Sequence, residues 1–150
     1  MLGIDIANLN TNNQTVISGP EQEIVVSQNS LEKAGAQLFK RLAVSAAFHS
    51  RYMVRAQQEF AAFLQQISLA EPRIPVVSNV SARPHILSEL KGKLASQITH
   101  PVRWTESIEW LLQHPEAKFV EIGPGNVLTG LVRRIQMERR AAMAEVSAQR

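Results

Sequence analysis

One imidazole stands out in this chain for proton chemistry. The stretch Val44-Ser45-Ala46-Ala47-Phe48-His49-Ser50 sets His49 among small residues, after an apolar run and before a long amphipathic pattern. With an ordinary pKa of about 6.5, a histidine takes and returns a proton near neutrality, which is what a general base must do. A histidine at the end of a strand also serves as a plain structural residue, so position alone leaves both readings open. His85, His100 and His114 are scattered and form no i, i+4 pair, so no metal site is expected. With no cysteine in the chain, disulfides, iron–sulfur clusters, thiolate zinc sites and a thiol nucleophile are all excluded. Glu106 and Glu109 lie three apart and read as a solvated helix pair rather than an acid and a base. Gly123-Pro124-Gly125 with Gly130 fits neither G-x-G-x-x-G nor G-K-[ST]. It reads as a structural turn before a helix whose first amides face an anion if one is present.

The elements that must position these residues follow from periodicity. Ile4 to Ala7 and Thr15 to Ser18 have strand character around an Asn/Thr-rich turn from Asn8 to Gln14, which predicts a hairpin. Pro20 is suited to open a helix with Glu21 and Glu23 in its first turn and Gly35 as its C-terminal stop, while Ile24-Val25-Val26 would also suit a strand. Gln37 to Val44 reads as the strand that delivers His49. From Arg51 to Ile67, the positions Met53, Ala56, Phe60, Phe63, Leu64 and Ile67 recur at three- and four-residue intervals, an amphipathic helix. Ile74 to Val80 is a continuous apolar run, as in a strand covered on both faces. Ile86 to Ile98 predicts a helix, Pro101 forces a boundary, and Trp104, Ile108, Leu111 and Leu112 stripe another that ends near Pro115. Lys118 to Ile122 is expected as a short strand, and Asn126 to about Gln136 as a helix with Val127, Leu131 and Ile135 on one face. The Ala- and charge-rich last dozen residues are expected to fray. Alternation of strand and helix predicts an α/β fold with parallel pairing.

At 150 residues, 45% hydrophobic and 19% charged, the chain has the make-up of a globular domain with a real core. No run of about 18 apolar residues occurs, and the N-terminus has no basic and apolar leader pattern, so neither a membrane span nor a secretion signal is expected and cytoplasmic is the default. The formal charge is +3, with Arg133, Arg134, Arg139, Arg140 and Arg150 near the C-terminus. Without basic residues interleaved with stacking aromatics, nucleic acid is not the expected partner, and an acidic protein fits the same charge.

VSAAFHS resembles the segment that carries the catalytic histidine in malonyl-CoA:acyl carrier protein transacylases and in the acyltransferase domains of polyketide synthases. IANLNTNNQTVISG, IPVVSNV, QITHPVRWTESIEWL and FVEIGPGNVLTGLVRRI resemble that family in the same order and at similar spacing. The resemblance implies a hydrolase-like parallel-sheet domain with a small ferredoxin-like subdomain inserted in it. On that basis residues 1–45 are expected to be part of the small subdomain, 46–138 the C-terminal part of the large one, and 139–150 a frayed tail.

The family attacks its thioester with the serine of a G-H-S-x-G elbow. That motif does not occur in this sequence. The family also keeps an oxyanion-hole glutamine and a malonyl-binding arginine in its N-terminal half, so the chain is expected to begin after all three and to be inactive alone. What the resemblance implies is malonyl transfer from malonyl-CoA to the phosphopantetheine thiol of an acyl carrier protein, with His49 as base toward serine and then toward the thiol. No bound cofactor is implied.

The backbone carbonyl of Gln97 is the implied acceptor that orients His49. Phe48 is the implied specificity residue, since an aromatic ring there narrows the pocket against an added methyl; core packing is its other reading. Asn8 and Asn10 are either substrate-binding or simply what a turn demands, and Asn79 is equally open. Arg51 departs from the proline that many relatives carry after the His-Ser pair. The implied partners are an acyl carrier protein and the missing N-terminal half. A separate chain carrying that half, a truncated gene, or a non-enzymatic module that binds a carrier protein or synthase subunit would all leave this sequence.

Overall fold

The computed structural model describes residues 3–148. Strand β1 (Asp5–Thr11) and strand β2 (Gln14–Ser18) form an antiparallel hairpin, with Asp5 opposite Ser18 and Thr11 opposite Gln14. The turn is therefore only Asn12 and Asn13, and Asn8 and Asn10 lie in β1 rather than in the expected longer turn. The ladder slips between Ile6 and Asn8 and again between Leu9 and Thr11, irregularities that bend and twist a strand. The outer edge of β1 is closed differently. Leu9 donates its amide to the Val102 carbonyl at 2.9 Å, and Val102 donates back to Ala7 at 2.8 Å. Asn8 and Val102 thereby make an isolated parallel bridge that fastens the segment before α4 to the hairpin.

Helix α1 (Glu21–Lys33) follows, with Pro20 just ahead of it and Glu21 and Glu23 in its positive first turn. Gly35 has φ of 103°, which a side chain would resist, and the amides of Gly35 and Ala36 return to the carbonyls of Glu32 and Leu31. This is the doubly bonded left-handed stop that glycine supplies. A 3-10 turn (Arg51–Met53) runs directly into α2 (Val54–Gln65), matching the periodic stretch in the sequence. Helix α3 (Leu87–Ser96) packs against α2, while α4 (Trp104–Leu111) contacts both β1 and α5 (Val127–Ala148). Of the tail expected to fray, 149–150 lie outside the described residues, and residues 139–148 are helical as part of α5. Its middle is anchored where Arg139 donates to the Leu112 carbonyl at 3.0 Å and Glu138 accepts from the Asn12 amide at 3.2 Å.

The main core cluster is Ile108, Val132 and Ile135, with Trp104, Leu111, Leu112 and Phe119 packed against it. It sits between α4 and α5, next to the hairpin.

Three predicted strands are absent. Gln37–Val44, Ile74–Val80 and Lys118–Ile122 join no sheet among the described residues, whose only sheet is the hairpin. A parallel strand takes its backbone hydrogen bonds from neighbours alongside it, and no parallel neighbour runs beside these segments among the described residues. Their apolar side chains are correspondingly open, with Leu38 at 82% exposure and Ile122 at 96%. Ile74–Val80 finds partners of other kinds, where the Ser78 amide donates to the Arg83 carbonyl and the His85 amide to the Val76 carbonyl across a tight turn, and where the Asn79 and Val80 carbonyls accept from Arg103. Among the described residues no helix is long and apolar enough to cross a membrane.

Candidate active site

The turn that carries His49 is built by the residue after it. The hydroxyl of Ser50, which is fully buried, donates to the Ala47 carbonyl at 2.5 Å and accepts the Tyr52 amide at 3.3 Å. One oxygen thus closes the turn behind Phe48 and His49 and caps the helix ahead of them, the use to which serine is suited at a helix start. Between these constraints His49 adopts φ of 56°. That left-handed conformation costs an L residue about 1–2 kcal/mol, and it is held here because the turn, the cap and the ring's own bond all fix it.

The ring of His49 is half-buried, and its Nδ1 lies 2.7 Å from the backbone carbonyl oxygen of Gln97, just past the end of α3. A carbonyl only accepts, so the proton must be on Nδ1. In the neutral imidazole that leaves the lone pair on Nε2. Gln97 is held in turn by its side chain, whose Oε1 accepts from Asn79 Nδ2 at 3.1 Å. Asn79 itself accepts the Arg103 amide at 3.0 Å through its carbonyl, and the Arg103 guanidinium bonds Val80 at 3.0 Å and pairs with Glu106. The Arg103 guanidinium holds the Glu106 carboxyl below its usual value.

On the other flank, Asp5 of β1 receives the Arg51 amide at 2.8 Å and the Arg51 guanidinium. This pairing holds the Asp5 carboxyl below its ordinary range.

The structure therefore brings His49 and the Gln97 carbonyl together. It leaves Phe48 beside them at 46% exposure. Asn8 and Asn10 are half-buried positions of β1 with no hydrogen bond to His49, Phe48 or Gln97 among the described residues. Ser50, Asp5 and Arg103 were not singled out from the sequence. Ser50 had a legible signal, a serine directly before a helical pattern. Asp5 and Arg51 lie 46 residues apart, and no local pattern reports such a pair.

The glycine turn before α5 has its anion already. Glu121 accepts from the amides of Leu128 and Thr129 at 3.1 and 2.8 Å and from the Thr129 hydroxyl at 2.7 Å. Those bonds hold its carboxyl below the usual range and occupy the helix start.

A model of the acyl transferase domain family matches residues 3–148. This chain belongs to that family. The acyltransferase chain is 47% identical over 142 residues to the polyketide biosynthesis malonyl CoA-acyl carrier protein transacylase BaeC of Bacillus velezensis, covering 94% of this chain and 49% of that protein. It is 36% identical over 139 residues to a malonyl CoA-acyl carrier protein transacylase of Staphylococcus aureus, covering 90% of this chain and 44% of the relative.

Among solved structures, a malonyl-transacylase in complex with a type II polyketide synthase acyl carrier protein matches with a TM-score of 0.84 at 35% identity, over 88% of this chain and 43% of its own. The malonyl CoA-acyl carrier protein transacylase of Burkholderia pseudomallei matches with a TM-score of 0.80 at 47% identity, over 90% of this chain and 48% of its own. These neighbours have an α/β fold, so the class expected from the sequence holds even though the parallel ladder is absent here. The chain spans about half the length of each of these relatives and solved structures.

Proposed function

We propose that this chain supplies the general-base half of a malonyl-CoA:acyl carrier protein transacylase acting in fatty-acid or polyketide synthesis. The observation that carries the reading is the 2.7 Å contact of His49 Nδ1 with the Gln97 carbonyl, which supports Nε2 of the neutral ring as the proton acceptor. In the first half-reaction a serine oxygen attacks the malonyl thioester. A carbon–oxygen bond forms, the carbon–sulfur bond to coenzyme A breaks, and the serine proton passes through Nε2 to the departing thiolate. In the second, the phosphopantetheine sulfur attacks the malonyl ester, the carbon–oxygen bond breaks, and the thiol proton passes through the same nitrogen back to serine.

The serine, the oxyanion donor and the malonyl-binding arginine belong in this reading to a complementing segment, since G-H-S-x-G does not occur here. Phe48 would face the malonyl carbon, and Asn8 and Asn10 would border the pantetheine path. The hairpin and α1 are read as part of a small ferredoxin-like subdomain, and residues 46–138 as part of the hydrolase-like one. A second reading, a non-enzymatic module that docks on a synthase subunit, is favoured by the exposed apolar segments around Leu38 and Ile122.

Transfer of radiolabelled malonyl from malonyl-CoA to a carrier protein separates the two. This chain alone is expected to transfer nothing, and activity should appear on mixing with a segment that carries G-H-S-x-G. His49→Ala in that mixture should remove transfer. Full activity of the variant refutes the base, and an inactive mixture that still binds a synthase subunit favours the docking module.

A further inference from the structure

We propose that Asp5 and Arg51 act as a positioning pair for His49, fixing the turn that carries the imidazole to the same frame that carries its orienting carbonyl; this rests on His49 being the base. Arg51 is two residues past His49 and begins the helix capped by Ser50. Asp5, on β1, takes both its backbone amide at 2.8 Å and its guanidinium, with Nε at 2.8 and 3.0 Å from the two carboxylate oxygens. A second tie runs between the same two segments, where the Tyr52 hydroxyl donates to the Gly3 carbonyl at 2.7 Å.

The frame is β1 itself. Its edge is bonded in both directions to Val102, five residues beyond Gln97, so the Gln97 carbonyl and the Asp5 carboxylate are referred to one strand. The His49 turn lies beside that strand, held from one side by Asp5 through Arg51 and from the other by Gln97. Without Asp5 the left-handed turn keeps its internal Ser50 bonds but loses its charged attachment to β1. It can then pivot, and the ring can leave the geometry that sets its tautomer.

A forked guanidinium on a carboxylate fixes orientation as well as distance, which a lysine does not. The Asp5 side chain is 18% exposed while Arg51 is 60% exposed, so the pair's main effect is geometric rather than a large stabilisation.

The test uses Asp5→Asn, Arg51→Ala, Arg51→Lys and the Asp5→Asn/Arg51→Ala double variant in the acyltransferase assembled from this chain and the serine-bearing segment. The first two should lower kcat by about 10- to 100-fold, the cost of a base misplaced by a fraction of an ångström to an ångström, with KM within about twofold. The double variant should be no worse than the more damaged single one, because the two side chains act as one unit. Arg51→Lys, which keeps charge and backbone amide, should fall between wild type and Arg51→Ala, and it supplies the reading if Asp5→Asn fails to fold.

Nitrogen-15 spectra of histidine-labelled chain, with His49→Gln to assign the ring, should show Nδ1 protonated in wild type and a mixed tautomer in Asp5→Asn. Unchanged kcat and unchanged tautomer in Asp5→Asn and Arg51→Ala, with His49→Ala inactive, overturns the positioning role alone. An active His49→Ala overturns the base assignment beneath it.

Discussion

At the residue scale, the unusual feature is that a side chain capable of base chemistry occupies a backbone conformation most residues avoid. Histidine is among the few non-glycine residues enriched there, and here the strain is offset by one serine hydroxyl and one carbonyl. The conformation also leaves Phe48 half-exposed beside the imidazole, where a ring can line a pocket. Phe48→Ala should therefore relax selectivity. Discrimination against an added methyl in an apolar pocket is worth about 1–3 kcal/mol, so the ratio of kcat/KM for malonyl- over methylmalonyl-CoA should fall by about 10- to 200-fold in the reconstituted enzyme. An unchanged ratio would mean that Phe48 does not border the malonyl carbon.

What could be read at this scale divides by the kind of signal and not by sequence distance, since His49 and Gln97 are 48 residues apart and Asp5 and Arg51 are 46. His49 and the Gln97 carbonyl came from resemblance of short motifs, and Ser50 was available from capping chemistry. Asp5 was out of reach because nothing local marks its partner.

At the element scale, helices were legible and their junctions were not. The stripes that predict α2, α3 and α4 need only one apolar face and a neighbour to cover it, and α2 finds α3 while α4 finds α5. The ends are set by side chains that reach elsewhere. Arg103 is the main case, since it opens α4, bonds Val80 and pairs with Glu106 three residues on. Lowering the Glu106 carboxyl below its usual 4.5 means this contribution is fully present above about pH 4.5 and is lost as pH falls through the lowered value. Both side chains are more than a third exposed, so the contribution is below about 1 kcal/mol. As pH falls below about 4.5 the melting temperature should drop more in wild type than in Glu106→Gln, by no more than about 2–4 °C for a chain of this size. Parallel melting curves for the two proteins across that range would show that Arg103 holds α4 through Val80 alone.

At the scale of the whole molecule, the failure of the strand prediction is informative. An apolar run such as Ile74 to Val80 or Lys118 to Ile122 carries the composition of a buried parallel strand, but pairing is a property of what lies alongside, which periodicity cannot report. The amides of Lys118 to Ile122 donate no backbone hydrogen bond among the described residues, and Val120 and Ile122 stand 82% and 96% exposed. Unpaired backbone next to open apolar side chains is the physical form of an incomplete sheet, and a complementing segment would satisfy both deficits together.

Hydrogen exchange distinguishes this from a merely irregular loop. In the chain alone, the amides of residues 38–43 and 118–122 should exchange at nearly unprotected rates, while those of Leu9 and Val102, already bonded at 2.9 and 2.8 Å, should be slow. Addition of the serine-bearing segment should protect the first two groups and leave Leu9 and Val102 where they were. Protection of residues 118–122 in the chain alone would mean that they already pair within it. If activity returned while both groups stayed unprotected, the two halves would have to join through helix faces, and these apolar segments would not belong to a shared sheet.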